Sequence, residues 1–334
     1  MFEHQYSKAI HNKKIILCGP TPPPLGGVSV HIKRVIQQLL QQDNQVVVYD
    51  ATAYSSRIKR MQKLIFCLIT NRPDIVYYHT LYNSWVEWAL VAFFKVILRY
   101  QLVLVDHDCR DLYKRSELFK ILVRRTMFLV HQHVLIGNLT VQSYHDNKIP
   151  LHNNFSVESP FLPPDLSEEK TILATYPDNL FVFLQAHKPI ISANAFKLIL
   201  LQEKDLYGIM HSIKLVAQLK DQFPAIGLVI ALGQRGNHHY YHELQELIIL
   251  LDIADHIFFL ENQKELWPLL KLSNIFLRPT LSDGFSLSIE EALYLGTPTI
   301  ASDVCVRPHN TVLFKTGDEH DLYIKTKETL EKNC

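Results

Sequence analysis

The sequence lacks several features that mark specialised classes of protein. Its five cysteines are scattered over 334 residues without a Cys-x-x-Cys pair, which argues against a disulfide framework or a zinc–thiolate site and favours a reducing compartment. No signal peptide is visible. The longest apolar run, residues 85–98, contains Glu87 and Lys95 and falls short of the roughly 18 residues that a spanning helix needs. The expected location is the cytoplasm, either free or at the inner surface of the cell membrane.

What is present describes a folded protein of two domains. Hydrophobic residues make up 48% of the chain and charged residues 20%, which excludes intrinsic disorder. Residues 1–160 carry 19 Lys and Arg against 11 Asp and Glu, whereas the remainder carries 15 against 22. A basic first half and an acidic second half indicate different partners for the two halves.

Strand and helix patterns alternate along both halves, which predicts an α/β fold with parallel sheets. A Pro-rich stretch over residues 150–180 separates an expected N-terminal domain, residues 1–160, from a C-terminal domain, residues 161–334. The predicted strands cover residues 14–18, 45–49, 74–78, 102–105, 133–136, 180–184, 196–201, 226–231, 256–260 and 275–277. Ligands of such sheets bind beyond the carboxyl ends of the strands.

The most informative stretch is residues 278–306, RPTLSDGFSLSIEEALYLGTPTIASDVCV. Ser288 is predicted to cap a helix, with Glu291 reaching back to complete a capping box. Gly296 is predicted to end that helix in a left-handed turn, and residues 299–301 to form a buried strand. The loop before the helix lies at a helix N-terminus, where free N–H groups favour an anion.

Two acidic residues flank this loop. Asp283 and Glu291 lie eight residues apart and could face one ligand, with Gly284 letting backbone approach it closely. Local chemistry leaves an alternative open, in which Glu291 only caps the helix and Asp283 only forms the turn.

The order and spacing of these residues resemble the acidic-x7-acidic signature of family 4 retaining glycosyltransferases. That signature usually reads Glu-Gly-Phe-Gly-Leu-Pro, three residues, then Glu-Ala, whereas this chain reads DGFSLSIEEA from Asp283 to Ala292. The flanking Arg278-Pro279-Thr280 and Arg307-Pro308 resemble the bacterial polysaccharide branch of the family. The resemblance implies the GT-B fold, in which two Rossmann-like domains face each other across a cleft.

The resemblance also implies roles for individual residues. Glu291 would hold ribose hydroxyls and Asp283 would accept from sugar hydroxyls as a catalytic residue. Backbone N–H groups of residues 284–287 and the helix terminus would hold sugar or phosphate. The implied donor site consists of Gly26, Gly27, Lys204, Arg278, Gly284, Phe285, Ser286, Leu287 and Glu291. Family members need no metal here, so neither a metal nor any cofactor beyond the nucleotide-sugar co-substrate is expected.

The first domain contributes two further features. The loop that follows the first strand ends Gly26-Gly27-Val28-Ser29-Val30-His31, which is typical of an anion-binding turn and resembles the Gly-Gly-x-x-x-His of the family. The alternative is a stiff turn without a ligand. His107 follows the fourth strand, next to Asp108, and by resemblance it would point at the donor sugar as a catalytic residue. A structural role for a lone His is the alternative.

Two stretches fit the family less closely or admit two interpretations. The family places an Arg and a Lys before the helix near residue 208 to hold the donor diphosphate, whereas here Tyr207 occupies the Lys position, so that Lys204, Arg278 or Arg235 would have to substitute. The basic amphipathic stretch 114–125 could lie on an anionic membrane or simply present a solvated helix face.

The resemblance implies a transferase that moves a sugar from a nucleotide-sugar donor to a growing glycan or polyprenyl-diphosphate-linked acceptor, with retention of configuration, in cell-surface polysaccharide synthesis. No nucleic-acid partner is expected. Two alternatives remain at this point: a nucleotide-sugar epimerase on a similar scaffold, and a glycan-binding or partner subunit without catalysis, which the missing Arg–Lys pair would favour.

Overall fold

The computed structural model describes residues 10–22, 27–79, 85–107, 117–159, 161–262, 265–283 and 286–333. The chain divides into two compact units, Met1–Leu162 and Pro163–Cys334. Each unit is built on a parallel six-stranded sheet with helices on both of its faces. The α/β class predicted from the alternating pattern is therefore confirmed.

The sheet of the first unit has the strand order β2-β1-β3-β4-β5-β6. Its strands are β1 (Lys14–Cys18), β2 (Gln45–Tyr49), β3 (Ile75–His79), β4 (Gln101–Asp106), β5 (Gln132–Ile136) and β6 (Phe155–Glu158). The connecting helices are α1 (Gly27–Gln41), α2 (Arg57–Asn71), α3 (Trp85–Leu98), α4 (Glu117–Thr126) and α5 (Asn138–Asp146). Strands β1, β3, β4 and β5 are almost wholly buried, as expected for a parallel sheet covered on both faces.

The helices of this unit divide between the two faces of the sheet. α1 packs Ile32, Val35 and Leu39 on one face. Helices α2, α3 and α4 pack on the other face, through residues that include Leu64, Trp88 and Val123 respectively. Because α2, α3 and α4 each connect two parallel strands on one face, they run side by side in the same direction.

The sheet of the second unit has the order β11-β10-β7-β12-β13-β14. Its strands are β7 (Ile190–Ala195), β10 (Gly227–Leu232), β11 (Ile257–Glu261), β12 (Ile275–Arg278), β13 (Thr299–Ser302) and β14 (Val312–Phe314), and a small antiparallel pair is formed by β8 (Leu200–Leu201) and β9 (Lys204–Asp205). The helices are α6 (Glu169–Leu173), α7 (Asp178–Ala186), α8 (Ile209–Leu219), α9 (His238–Leu250), α10 (Trp267–Leu272), α11 (Leu287–Tyr294) and α12 (Glu319–Asn333).

Two predicted strands are wrong. Residues 180–184 belong to helix α7, in which Leu180 and Phe183 are buried at helical spacing. Val182, which would share the side of Leu180 in a strand, is exposed. The strand predicted at 196–201 occurs earlier, as β7 at 190–195. The polar residues Ser192 and Asn194 interrupt the apolar pattern of β7, so the sequence did not indicate a strand there. Ser192 is small enough to be buried in the middle of the strand, and Asn194 lies near its end. Strand β6 lies inside the stretch that was interpreted as a linker.

Candidate functional site in the second unit

The carboxyl end of β12 is organised by Arg278. Its Nη1 donates to the backbone oxygen and to the side-chain oxygen of Asn194, both at 3.2 Å, and Asn194 lies near the end of the neighbouring strand β7. Its Nε donates to Asp283 Oδ2 at 3.1 Å. Two adjacent strand ends are thus joined to the loop that follows β12, at the edge of the sheet where ligands of parallel sheets bind.

Asp283 is a buried carboxylate between two arginines. The same Oδ2 atom also accepts from Nη1 of Arg307 at 2.8 Å, and the Asp283 side chain is only 11% exposed. Burial alone would raise the pKa of this carboxyl, but the Arg278 and Arg307 guanidinium groups hold it below its ordinary value. Asp283 is therefore ionised near neutral pH, and it fixes the position of both arginines.

Arg307 was not identified as a site residue from the sequence. Its side chain is 2% exposed and donates to Ser302 O at 3.0 Å, Thr280 Oγ1 at 3.1 Å and Ser302 Oγ at 3.2 Å, in addition to Asp283. Ser302 ends strand β13, so this guanidinium joins a third strand to the loop. The signal available in the sequence was the Arg-Pro pair that follows the strand, which entered only as part of the family resemblance.

Helix α11 begins earlier than predicted. It starts at Leu287 with Ser286 as the N-cap residue, and no side chain caps it, so the interpretation of Ser288 as the cap is wrong. Glu291 then lies in the second turn of the helix, too far from the N-cap to complete a capping box. Glu291 is also buried. The capping box predicted from Ser288 and Glu291 is therefore wrong. Gly284 and Phe285, two predicted donor-binding residues, lie outside the described residues.

The far end of α11 follows the prediction. Gly296 has a φ of +80°, and Thr297 N–H donates to Ala292 O at 2.8 Å, which is the closing bond of a Schellman turn. The strand β13 follows at Thr299, as the pattern at 299–301 predicted.

The entry to α8 lies against the β12 loop. Gly208 has a φ of +68°, and a Cβ built on it would lie 2.1 Å from the carbonyl oxygen of Pro279. Leu281 N–H donates to Leu206 O at 2.9 Å, and the Arg278 guanidinium lies over the Tyr207 ring at 5.2 Å. The segment that the resemblance assigns to the donor diphosphate is thus in direct contact with Arg278.

Asp205 shapes this entry, whereas Lys204 does not take part in it. The Asp205 carboxylate accepts from Tyr207 N–H at 3.0 Å and from Met210 N–H at 2.9 Å. Lys204 is exposed on β9. Of the two predicted cations, Arg278 is the one built into the described site, together with Arg307.

Histidines and acids of the first unit

Three histidines meet at the carboxyl ends of β3 and β4. His79 Nδ1 lies 2.9 Å from His107 Nε2, and the His31 ring from α1 lies edge-on to His107 with centroids 4.8 Å apart. Burial, reinforced by the neighbouring His31, lowers the pKa of both His79 and His107 well below the ordinary value. These two rings are therefore neutral at pH 7, and His107 is positioned by His79.

A buried acid lies directly before His107 in the chain. Asp106 accepts from His133 Nε2 at 3.1 Å and from the Tyr144 hydroxyl, and all three residues are fully buried. Asp106-His107-Asp108 has the spacing of an Asp-x-Asp metal motif, but Asp106 is enclosed in the protein interior; Asp108 lies outside the described residues. In the part of the chain that the structure describes, no group of three His, Cys, Asp or Glu residues is arranged to hold a metal ion.

The remaining predicted residues of this unit are only partly described. Gly27 is the first residue of α1, whereas Gly26 lies outside the described residues. Within the basic stretch 114–125, Lys120 pairs with Glu117 at 2.9 Å, and Arg124 donates to backbone oxygens of Asn147 and Lys148. Only Arg125 remains exposed among the described cations of that stretch. No helix among the described residues is both long and apolar enough to cross a membrane.

Comparison with known proteins supports one family. The model of the family described as Glycosyl transferases group 1 matches residues 201–318, about a third of the chain, and this range contains the whole Arg278–Asp283–Arg307 site. An uncharacterized glycosyltransferase of Methanocaldococcus jannaschii is 30% identical over 109 residues, which cover 33% of this chain and 25% of that protein. The match thus spans only a quarter of the length of that curated relative.

Solved structures share the fold over almost the entire chain. A glycosyltransferase from Rickettsia africae is 15% identical with a TM-score of 0.65, covering 96% of this chain and 89% of that one. HepE of Anabaena in complex with UDP is 14% identical with a TM-score of 0.62, covering 96% of this chain and 90% of that one. The fold is that of GT-B glycosyltransferases, which confirms the predicted fold class.

Proposed function

We propose that this chain is a retaining glycosyltransferase that moves a sugar from a nucleotide-sugar donor to a growing glycan or a polyprenyl-diphosphate-linked acceptor. The observation that carries the proposal is that the family match over residues 201–318 coincides with a cationic site at the carboxyl ends of three adjacent strands. HepE of Anabaena, a structural relative, has been solved with UDP and with UDP-glucose, which supports a nucleotide sugar as the donor class.

The charge of the site suits a nucleoside diphosphate leaving group. Arg278 and Arg307 share one carboxylate, Asp283, so the three side chains together carry one net positive charge in a largely buried setting. Departure of the nucleoside diphosphate develops negative charge on phosphate, and preorganised cations and N–H groups stabilise that charge. The backbone at the start of α11, from Ser286 to Leu287, would contribute N–H groups, and Arg278 would supply the cation that the family places near Tyr207.

Glu291 would hold the ribose of the donor nucleotide. A buried carboxylate in the second turn of α11 can accept two hydrogen bonds from neighbouring ribose hydroxyls. Asp283 would act mainly by holding both arginines and secondarily as an acceptor for sugar hydroxyls. Lys204 is exposed on β9, and its side chain would have to extend from there to contact the diphosphate.

In the first unit, His107 would face the donor sugar and Gly26-Gly27 would offer backbone donors. Because its pKa is lowered by burial, the His107 ring would work as a neutral hydrogen-bonding group and not as a cation. His79 would set the tautomer of His107 through the 2.9 Å contact between the two rings. We place the reaction in cell-surface polysaccharide synthesis at the cytoplasmic side of the membrane.

The decisive experiment compares two adjacent acids of α11, Glu291 and Glu290. A panel of nucleotide sugars is screened by thermal stabilisation, since a ligand present at 100 times its Kd adds about 2.7 kcal/mol, or roughly 5–11 °C for a unit of this size. We expect one donor to stabilise the wild type and Glu290→Gln equally. Glu291→Gln should lose that stabilisation and transfer while melting at the wild-type temperature without ligand.

The product assay separates the alternatives. Transfer of the sugar to a glycan or lipid-linked acceptor with the anomeric configuration retained, followed by NMR, is the expected result. Conversion of the nucleotide sugar without any acceptor would identify an epimerase instead. Binding without turnover on any acceptor would identify a non-catalytic subunit, and no stabilisation by any nucleotide sugar would refute the proposal.

A further inference from the structure

The outer surface of α2, α3 and α4 exposes large apolar side chains that the fold of the first unit does not use. Phe66 on α2 is 64% exposed, and Phe93 and Val96 on α3 are 59% and 62% exposed. Ile97 and, just after α4, Phe128 are exposed as well. The inner sides of the same helices supply the core through Leu64, Trp88 and Val123, so these helices are apolar on two sides.

These side chains form one surface because the three helices lie side by side. The Arg57 guanidinium at the start of α2 lies 5.9 Å from the centre of the Trp85 ring at the start of α3, which joins the two helices at their N-terminal ends. Phe66 and Phe93 each lie five residues before the ends of α2 and α3, and Phe128 lies just beyond the end of α4. Because the three helices run in the same direction, these phenylalanines lie towards the same end of the surface. We call this surface the α2–α4 face.

The charge of the α2–α4 face is positive. Helix α2 contains four basic residues, Arg57, Lys59, Arg60 and Lys63, and no acidic one. Exposed arginines follow or end each helix at Arg72, Arg99 and Arg125. Among the described residues, three acids in or beside these helices are engaged elsewhere: Glu87 is buried, Glu117 pairs with Lys120, and Asp74 accepts from Lys14 N–H.

We infer that the α2–α4 face binds the surface of an anionic lipid bilayer. Protruding aromatic and aliphatic side chains among Lys and Arg are the composition of helices that lie in the headgroup region, where apolar contact and attraction to anionic lipid act together. A second copy of the chain fits this surface poorly, because it would bring identical basic helices together. The inference rests on the first unit alone and is independent of the proposed transfer chemistry.

The surface differs from other exposed apolar positions in the molecule. Ile249 and Leu250 at the end of α9 are 73% and 81% exposed, more than Phe93 and Val96. Their helix carries Glu243 and Glu246 and no Lys or Arg. The pair therefore serves as a control with equal hydrophobicity but without the cationic setting.

The test is co-sedimentation of the full chain with vesicles of phosphatidylcholine, alone or with about one-third phosphatidylglycerol. We expect binding to the anionic vesicles only, and weaker binding as salt rises to about 0.5 M. Phe93→Ser with Val96→Ser should weaken binding by about tenfold or more, since it removes the apolar contact. Lys59→Gln with Lys63→Gln should weaken it by about 25-fold, from about fivefold for each of the two lost charges.

The controls make each outcome informative. Ile249→Ser with Leu250→Ser should leave binding unchanged, and all variants should melt at the wild-type temperature because every substituted residue is exposed. Equal binding to neutral vesicles, no binding, or equal loss in the α9 control would overturn the inference. Dimerisation in scattering measurements that Phe93→Ser with Val96→Ser abolishes, without lipid binding, would assign the face to a second copy. The vesicle assay does not involve donor binding. A failure of the lipid-binding inference would therefore leave the proposed function unchanged.

Discussion

Replacing Asp283 with Asn tests whether this carboxylate holds the second-unit site together. The substitution keeps the size of the side chain and one acceptor oxygen but removes the charge shared by Arg278 and Arg307. Two guanidinium groups whose nitrogens lie within 3.1 Å of the same oxygen would then face each other without a counter-charge. Removing one partner of a buried ion pair costs about 3–5 kcal/mol, and the residual 11% exposure places Asp283 near the lower end.

We therefore expect Asp283→Asn to lose about 3 kcal/mol of unfolding free energy at neutral pH. For a unit of this size that corresponds to a fall in Tm of roughly 6–12 °C. The measurement is chemical and thermal denaturation without ligand. Glu169→Gln is the matched control, because it breaks the more exposed Lys271–Glu169 pair and should cost no more than about 1 kcal/mol.

The pH dependence of Asp283→Asn provides a second check. The folded-state pKa of Asp283 is lowered below that of the unfolded chain, so its stabilisation is complete above about pH 4 and is lost as the pH falls through the folded value. The gap between wild type and Asp283→Asn should therefore narrow below pH 4. An unchanged melting temperature at pH 7, or a gap that does not depend on pH, would refute the assignment of a structural ion pair.

The other predictions concern a glycine pair and a histidine. Gly208→Ala should cost more than about 2 kcal/mol, because strain at positive φ adds to a clash with Pro279, whereas Gly296→Ala meets no atom within 4 Å and should cost only about 1 kcal/mol; equal Tm losses would contradict the contact. The pKa of His79 is lowered in the fold, so stability should decrease as the pH falls below about 6.5, where the unfolded chain takes up protons, by at most about 1.4 kcal/mol per pH unit for this group. Denaturation experiments between pH 5 and 7 should show that the unfolding free energy of His79→Gln depends less steeply on pH than that of the wild type. The exposed control His238→Gln should keep the wild-type dependence. Identical pH dependence in all three proteins would refute a lowered pKa for His79.

The alternation of apolar and polar runs predicted much of the fold because most strands are buried on both faces and most helices have one apolar side. The prediction failed at segments where the order of apolar and polar residues does not match the observed burial. Residues 180–184 form a short apolar run without a decisive period, and a buried strand fits that run as well as the observed helix does. Strand β7 is central in its sheet, yet Ser192 and Asn194 give it a polar appearance.

For the site, local sequence could place residues on one loop and helix but could not predict their contacts. The spacing from Arg278 to Glu291 correctly located a strand end, a loop and a helix. The link from Asp283 to Arg307 spans 24 residues and depends on how β13 pairs with β12, which no local pattern determines. The Ser288 cap was mispredicted because either Ser286 or Ser288 could begin the helix on propensity alone.

The packing of Gly208 against Pro279 has a mechanical consequence. A side chain at 208 would push the two segments apart, and a hydrogen bond from Leu281 N–H to Leu206 O also joins them. The exit of β12 and the entry of α8 therefore form a single rigid block, although about 70 residues of chain separate them. A displacement of either segment on ligand binding would therefore move the other segment with it.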